Sequence, residues 1–139
     1  MLSPERIFAP MSVLALWTGT VLLLTAIRRV HGVATGRIPR NAFRVGEAPS
    51  VPDDVAVWNR NFMNLLEMPL LFYVVCIALY VTRNVLPATI GLAWVYLGLR
   101  LVHSAIHLTS NRVIPRLVVF AASNLVLVTL WIWFMRRVL

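Results

Sequence analysis

The sequence predicts an all-α fold, an integral membrane four-helix bundle, and three observations predict it. Of 139 residues, 60% are hydrophobic and only 13% are charged, and the mean hydropathy is +0.80, too apolar for an ordinary soluble domain. Four apolar runs, at about 8–27, 62–82, 86–108 and 117–135, each approach the ~20 residues a helix needs to cross the hydrocarbon core. Strand-like alternation is lacking, and spanning segments must satisfy their own backbone groups, so helices are favoured over a barrel.

The first run is preceded by only two charges, Glu5 and Arg6, without a basic leader or small-residue cleavage site, and is expected to be retained as a helix. Helix 1 is predicted to end near Arg28 and Arg29. A polar loop over 28–59 follows, punctuated by Gly32, Gly36, Pro39, Gly46, Pro49 and Pro52. Loops of that length are functional covers or linkers, and Ala42-Phe43 within it suggests packing. Asp53 or Asp54 is a candidate cap for a helix beginning near Val55, which carries the second span out of the membrane by two turns. The link at 82–85 is short and Pro87 suits a first helical turn, so helices 2 and 3 form an antiparallel hairpin. Another short link, around 109–115, places Pro115 at the start of helix 4. Trp131, Trp133 and Phe134, near the final Arg pair, match an interfacial aromatic belt.

The formal charge is +8, and all 13 basic residues are Arg. Their distribution follows membrane topology, which argues against nucleic acid as a partner. With four spans both termini share a side. Arg28, Arg29, Arg37, Arg40, Arg44, Arg60, Arg112 and Arg116 fall on one side, against Arg6, Arg83, Arg136 and Arg137 on the other. The positive-inside rule therefore places the termini outside and the Arg-rich loops in the cytoplasm. The short loops are compatible with a bacterial inner membrane. The single cysteine, Cys76, cannot form an intrachain disulfide. No basic neighbour stabilises its thiolate, so it is expected to pack as a small hydrophobe.

Glu67, Arg100, His103 and His107 lie within or at the edge of these apolar runs. An Asp, Lys or Arg at a helix centre costs roughly 2.5 to 3.5 kcal/mol on insertion scales, so such groups need partners or water. Arg60, Asn64 and Glu67 stand at i, i+4 and i+7, on one helical face. A base, an amide and an acid so placed hold a polar ligand with carboxylate and ammonium groups, or form a polar seam between helices. Arg100, His103 and His107 repeat the pattern at i, i+3 and i+7, and Arg112 and Arg116 follow four apart. Those last two either snorkel to lipid phosphate or close the same pocket. His103 and His107 with Glu67 as a third offer a possible metal-ligand set, yet the surrounding arginines repel a divalent cation. An anionic ligand fits the local charge better, and no metal is expected.

At Arg60-xxx-Asn64-xx-Glu67-x-Pro69 the sequence resembles the signature of the MAPEG superfamily, the membrane-associated proteins in eicosanoid and glutathione metabolism. Arg100-xx-His103-xxx-His107-xxxx-Arg112-xx-Pro115-Arg116 is similar to the end of family helix 3 and the start of helix 4. With length, four spans and a long first loop in agreement, the resemblance covers nearly the whole chain, and it is greatest to uncharacterised bacterial members. It implies a homotrimer that binds glutathione between subunits near the cytoplasmic side and takes lipophilic substrates from the bilayer. Arg60, Asn64 and Glu67 match glutathione-contacting positions, Arg37 a basic position after helix 1, and His103 a site-lining position. His107 and Arg112 fall in the same matched stretch. Arg116 matches the arginine assigned to thiolate stabilisation, hence the catalytic candidate. His107 stands where eicosanoid-synthesising members place a tyrosine.

The resemblance thus implies a glutathione-dependent transferase or peroxidase acting on lipophilic electrophiles, with glutathione as co-substrate. The alternatives are a non-enzymatic membrane protein that binds an anionic lipid or metabolite in the same pocket, and a small proton-coupled efflux protein. Against the last, Glu67 shares its helical face with Arg60 and Asn64, an arrangement for pairing and not for a lone exchanging carboxylate.

Overall fold

The computed structural model describes residues 3–139. After one 3-10 turn at Pro4–Ile7 come four helices: α1 (Phe8–Ala34), α2 (Asp53–Val81), α3 (Pro87–Leu108) and α4 (Val113–Val138). No strand occurs among the described residues. All four helices are long and apolar enough to cross a membrane, and the chain is an integral membrane protein of the all-α class.

α1, α2 and α4 all outlast their apolar runs. α1 has 27 residues and α2 has 29. At 1.5 Å per residue both exceed the ~30 Å of hydrocarbon, so at least one end of each emerges. The Arg28-Arg29 pair, expected to end helix 1, lies inside α1, which continues to Ala34. Charge there marks the edge of the apolar run, while the helix stops where Gly36 adopts φ 73° and the Ile38 N–H donates to the Gly32 carbonyl at 3.0 Å. α2 begins at Asp53 behind Pro52, with no side-chain cap. Asp53 and Asp54 occupy the first turn, where negative charge favours the positive end of the helix dipole. α2 closes in a Schellman motif: Arg83 takes φ 59°, its N–H donates to Tyr80, and the Asn84 N–H donates to Leu79 at 2.8 Å. Pro87 opens α3, and Thr89 Oγ1 accepts the Leu86 N–H at 2.9 Å. α4 starts at Val113, so Pro115 falls within its first turn.

α1 packs mainly on α2, and α3 mainly on α4. Phe72 of α2 stacks on Tyr96 of α3 with ring centroids 4.4 Å apart. Around that pair lie Leu14, Val21, Val75, Leu79, Ala93, Leu127 and Leu130, and Cys76 is fully buried among them. A three-helix polar clasp interrupts this core. Trp17 Nε1 of α1 donates to Ser104 Oγ of α3 at 3.0 Å, and Asn61 Nδ2 of α2 donates to the same oxygen at 2.6 Å.

The segment at 35–52 is a folded cap. Ile38, Ala42 and Val51 form a second apolar cluster with Val55 and Ala56. Gly32 permits it, because a Cβ there would sit 2.5 Å from Ile38 Cδ1. Arg29 pins the cap from below: its guanidinium lies 4.7 Å from the Phe43 ring centroid and 3.0 Å from Glu47.

Candidate functional site

α2, α3 and α4 enclose two adjoining cavities on the α2–α4 side. One of about 200 Å³ is lined by Asn64, His103, Val113, Arg116, Leu117 and Phe120. Its neighbour, about 440 Å³, is lined by Asn59, Arg60, Met63, Asn64, His107, Asn111, Val113 and Arg116. Asn64, Val113 and Arg116 border both, so the two form one open-sided groove. Five sequence-predicted residues meet there: Arg60, Asn64, His103, His107 and Arg116.

The α3–α4 link sets the position of Arg116. Asn111 adopts φ 46°, a left-handed conformation that Asn tolerates better than most residues. Its Oδ1 accepts a hydrogen bond from Arg116 Nη1 at 2.6 Å. The Arg116 carbonyl in turn lies 3.2 Å from His103 Nδ1. A carbonyl only accepts, so Nδ1 carries the proton, and in the neutral ring Nε2 is left as an acceptor. That nitrogen is buried without a partner. On α2, Asn64 Nδ2 donates to the Arg60 carbonyl at 2.9 Å, so its second N–H and its side-chain oxygen remain for a ligand.

Behind the groove, Arg100 is only 1% exposed. Its Nε donates to Tyr96 Oη at 3.1 Å, and its guanidinium lies 5.6 Å from the Tyr96 and 5.3 Å from the Phe120 ring centroids. Among the described residues the ion pairs are Arg29–Glu47 and Arg37–Asp54, so Arg100 has aromatic faces in place of a counterion. Arg100 Nη2, His103 Nε2 and His107 Nδ1 are all buried without a partner. They belong to the i, i+3, i+7 stripe of α3. Unsatisfied buried polar atoms cost about 1 to 3 kcal/mol each, and a cluster of them marks a place shaped for something besides packing.

Three expected site residues lie outside this groove. Arg37 pairs with Asp54 at 3.2 Å and lines a separate cavity of about 310 Å³ between α1 and α2, together with Arg28 and His31. Glu67 follows Asn64 on α2 but is exposed, with exposed Met63, Leu70, Leu71 and Val74 on that side of the helix. Arg112 is exposed at the N-cap of α4. Conversely, Asn111 and Phe120 were absent from the sequence expectation. An Asn just past a helix end signals a left-handed cap, whereas nothing in the spacing of α4 distinguishes Phe120 from its apolar neighbours. Among the described residues, no three His, Cys, Asp or Glu side chains cluster closely enough to hold a metal ion.

The sequence comparison supplies the family. The family model described as MAPEG family matches residues 7–136. The chain belongs to the MAPEG family. No curated protein and no solved structure matches it significantly. The match contains every groove residue of this MAPEG chain named above.

Proposed function

We propose that this MAPEG protein binds glutathione in the α2–α4 groove and uses its thiolate to conjugate lipophilic electrophiles or to reduce lipid hydroperoxides. The observation that carries the reading is the shared lining of one cavity: Arg116, Asn64 and His103 beside Val113, Leu117 and Phe120. Cationic and amide groups suit the polar tripeptide, and the apolar wall suits a substrate arriving from lipid. Arg60 borders the adjoining cavity as the second guanidinium, fitted to a carboxylate.

Arg116 is the thiolate-stabilising group in this reading. A guanidinium beside a thiol favours the ionised sulfur and raises the nucleophile fraction at neutral pH. The thiol proton leaves through the open side of the groove. Sulfur then bonds to the electrophilic carbon as the leaving group departs with its electron pair. With a hydroperoxide, sulfur instead attacks the terminal oxygen and the O–O bond breaks. The alkoxide takes a proton to become an alcohol, and a second glutathione converts the sulfenic acid to disulfide and water.

The exposure of Glu67 supports completion of the site by a neighbouring subunit. An exposed carboxylate among exposed Met63, Leu66, Leu70, Leu71 and Val74 of α2 faces lipid unless another protein surface covers it. The homotrimer implied by the family resemblance supplies such a surface, where Glu67 holds the glutathione ammonium. Arg37 and Arg112 are assigned to the rim, Arg37 being contributed from the α1–α2 side of the adjacent protomer. In this reading the groove lies at the cytoplasmic face with both termini outside, in keeping with the Arg distribution.

Turnover of glutathione with a chloronitrobenzene electrophile tests this. Arg116→Ala is expected to lower the rate about tenfold or more, the thiolate fraction lost when one pKa unit of stabilisation is removed. Undiminished turnover refutes the role of Arg116. Glutathione binding without any turnover supports the non-enzymatic reading instead.

A further inference from the structure

On the side of the molecule away from the groove, Arg29, Val30, Val33, Ala34, Arg40 and Phe43 line a cavity of about 430 Å³. It lies where the polar cap folds back on the last turns of α1, just past the apolar run that ends at Ile27. One wall is apolar and the other carries two guanidiniums. Arg29 is partly neutralised by Glu47, 3.0 Å away. Arg40 is exposed and has no ion-pair partner among the described residues, which leaves the cavity with a net positive charge.

Below it, α1 presents a column of apolar side chains spaced seven residues apart. Val30, which lines the cavity, is 69% exposed, Leu23 60% and Leu16 73%. Fourteen residues of helix span about 21 Å, more than half of a ~30 Å hydrocarbon core. A cationic recess at the level of the headgroups, opening directly onto a lipid-facing apolar column, matches the two halves of a phospholipid.

We propose that this recess is a binding site for an anionic phospholipid, whose phosphodiester sits between Arg29 and Arg40 and whose acyl chain lies along Val30, Leu23 and Leu16. Guanidinium and phosphate pair through two parallel hydrogen bonds. A zwitterionic lipid brings its own cation and gains less from the uncompensated Arg40. Both arginines are absent from the lining of the α2–α4 groove, so the site is independent of the glutathione reading.

The test uses the full chain in nanodiscs of phosphatidylcholine containing a minor fraction of phosphatidylglycerol, with native mass spectrometry of the lipid retained by the released protein. Wild type is expected to retain phosphatidylglycerol in preference to phosphatidylcholine. Arg40→Gln, which removes an exposed charge that makes no hydrogen bond or ion pair among the described residues, is expected to lower that preference about fivefold, the weight of one basic residue at an anionic surface. Arg83→Gln, in the α2–α3 link at the other end of the bundle, is expected to leave it unchanged. The proposal is overturned if wild type shows no preference, if Arg40→Gln retains it in full, or if Arg83→Gln lowers it equally.

Discussion

Replacing Ser104 with Ala removes one oxygen and orphans two donors. Trp17 Nε1 and Asn61 Nδ2 both end on Ser104 Oγ, at 3.0 and 2.6 Å, and both Ser104 and Asn61 are fully buried. Interhelical hydrogen bonds in bilayers average about 0.6 kcal/mol and reach about 1.7, so two average bonds together contribute about 1.2 kcal/mol. Donors stranded in a core cost more than the bonds alone, which places the expected loss at about 1 to 3 kcal/mol. The magnitude follows from Ser104 joining three helices at one atom, and it is read from SDS titration of the micellar protein followed by circular dichroism. Asn61→Ala combined with Ser104→Ala is expected to cost less than the sum of the single changes, by about 0.5 to 2 kcal/mol, because one stranded donor has been removed. A loss under about 0.5 kcal/mol for Ser104→Ala, or strict additivity of the pair, would refute the clasp.

Asn111→Gly keeps the left-handed link but removes the oxygen that holds Arg116, so turnover should fall while the thermal midpoint holds; equal turnover would show that Asn111 does not position Arg116. Asn111→Ala adds about 1 kcal/mol of backbone strain to the same loss, measurable as a lower midpoint than the Gly variant. Gly32→Leu drives a side chain into Ile38, whose nearest atom lies 2.5 Å from the position of a Cβ. Overpacking of this kind costs about 1 to 3 kcal/mol, and limited proteolysis should cut the 35–52 cap faster than in wild type, with an unchanged rate counting against its packing. Arg83→Gly relieves a left-handed arginine and should raise stability by about 1 kcal/mol in the same SDS titration; a lower stability would mean that the Arg83 side chain contributes more than its backbone costs.

The architecture was legible because bilayer physics writes it in runs of apolar residues. Helix ends were less so. Beyond Arg28 and Arg29 the sequence turns polar, yet α1 continues for a further turn and a half, since Gly32 and Val33 pack under the cap. The sequence signals where hydrocarbon stops, and tertiary packing decides where the helix stops. In the site, helical spacing carried Arg60 with Asn64 and His103 with His107 onto shared faces, and both pairs border the groove. Spacing on one helix does not say what its neighbours cover. Glu67 therefore shares the α2 face with Asn64 but lies outside the cavities, and Arg37 lines the cavity on the α1–α2 side. Asn111 escaped notice because its role depends on a single backbone dihedral in a short link.

Titration of glutathione into the full chain in nanodiscs, beside Arg60→Ala, measures most directly whether the α2–α4 groove binds this anion. Arg60 is exposed at the groove, so its removal leaves the core intact. Saturable binding in wild type, weakened about tenfold or more in Arg60→Ala as one charge-assisted contact is lost, is the predicted result. No binding at millimolar glutathione, or equal affinity in the two proteins, would contradict it.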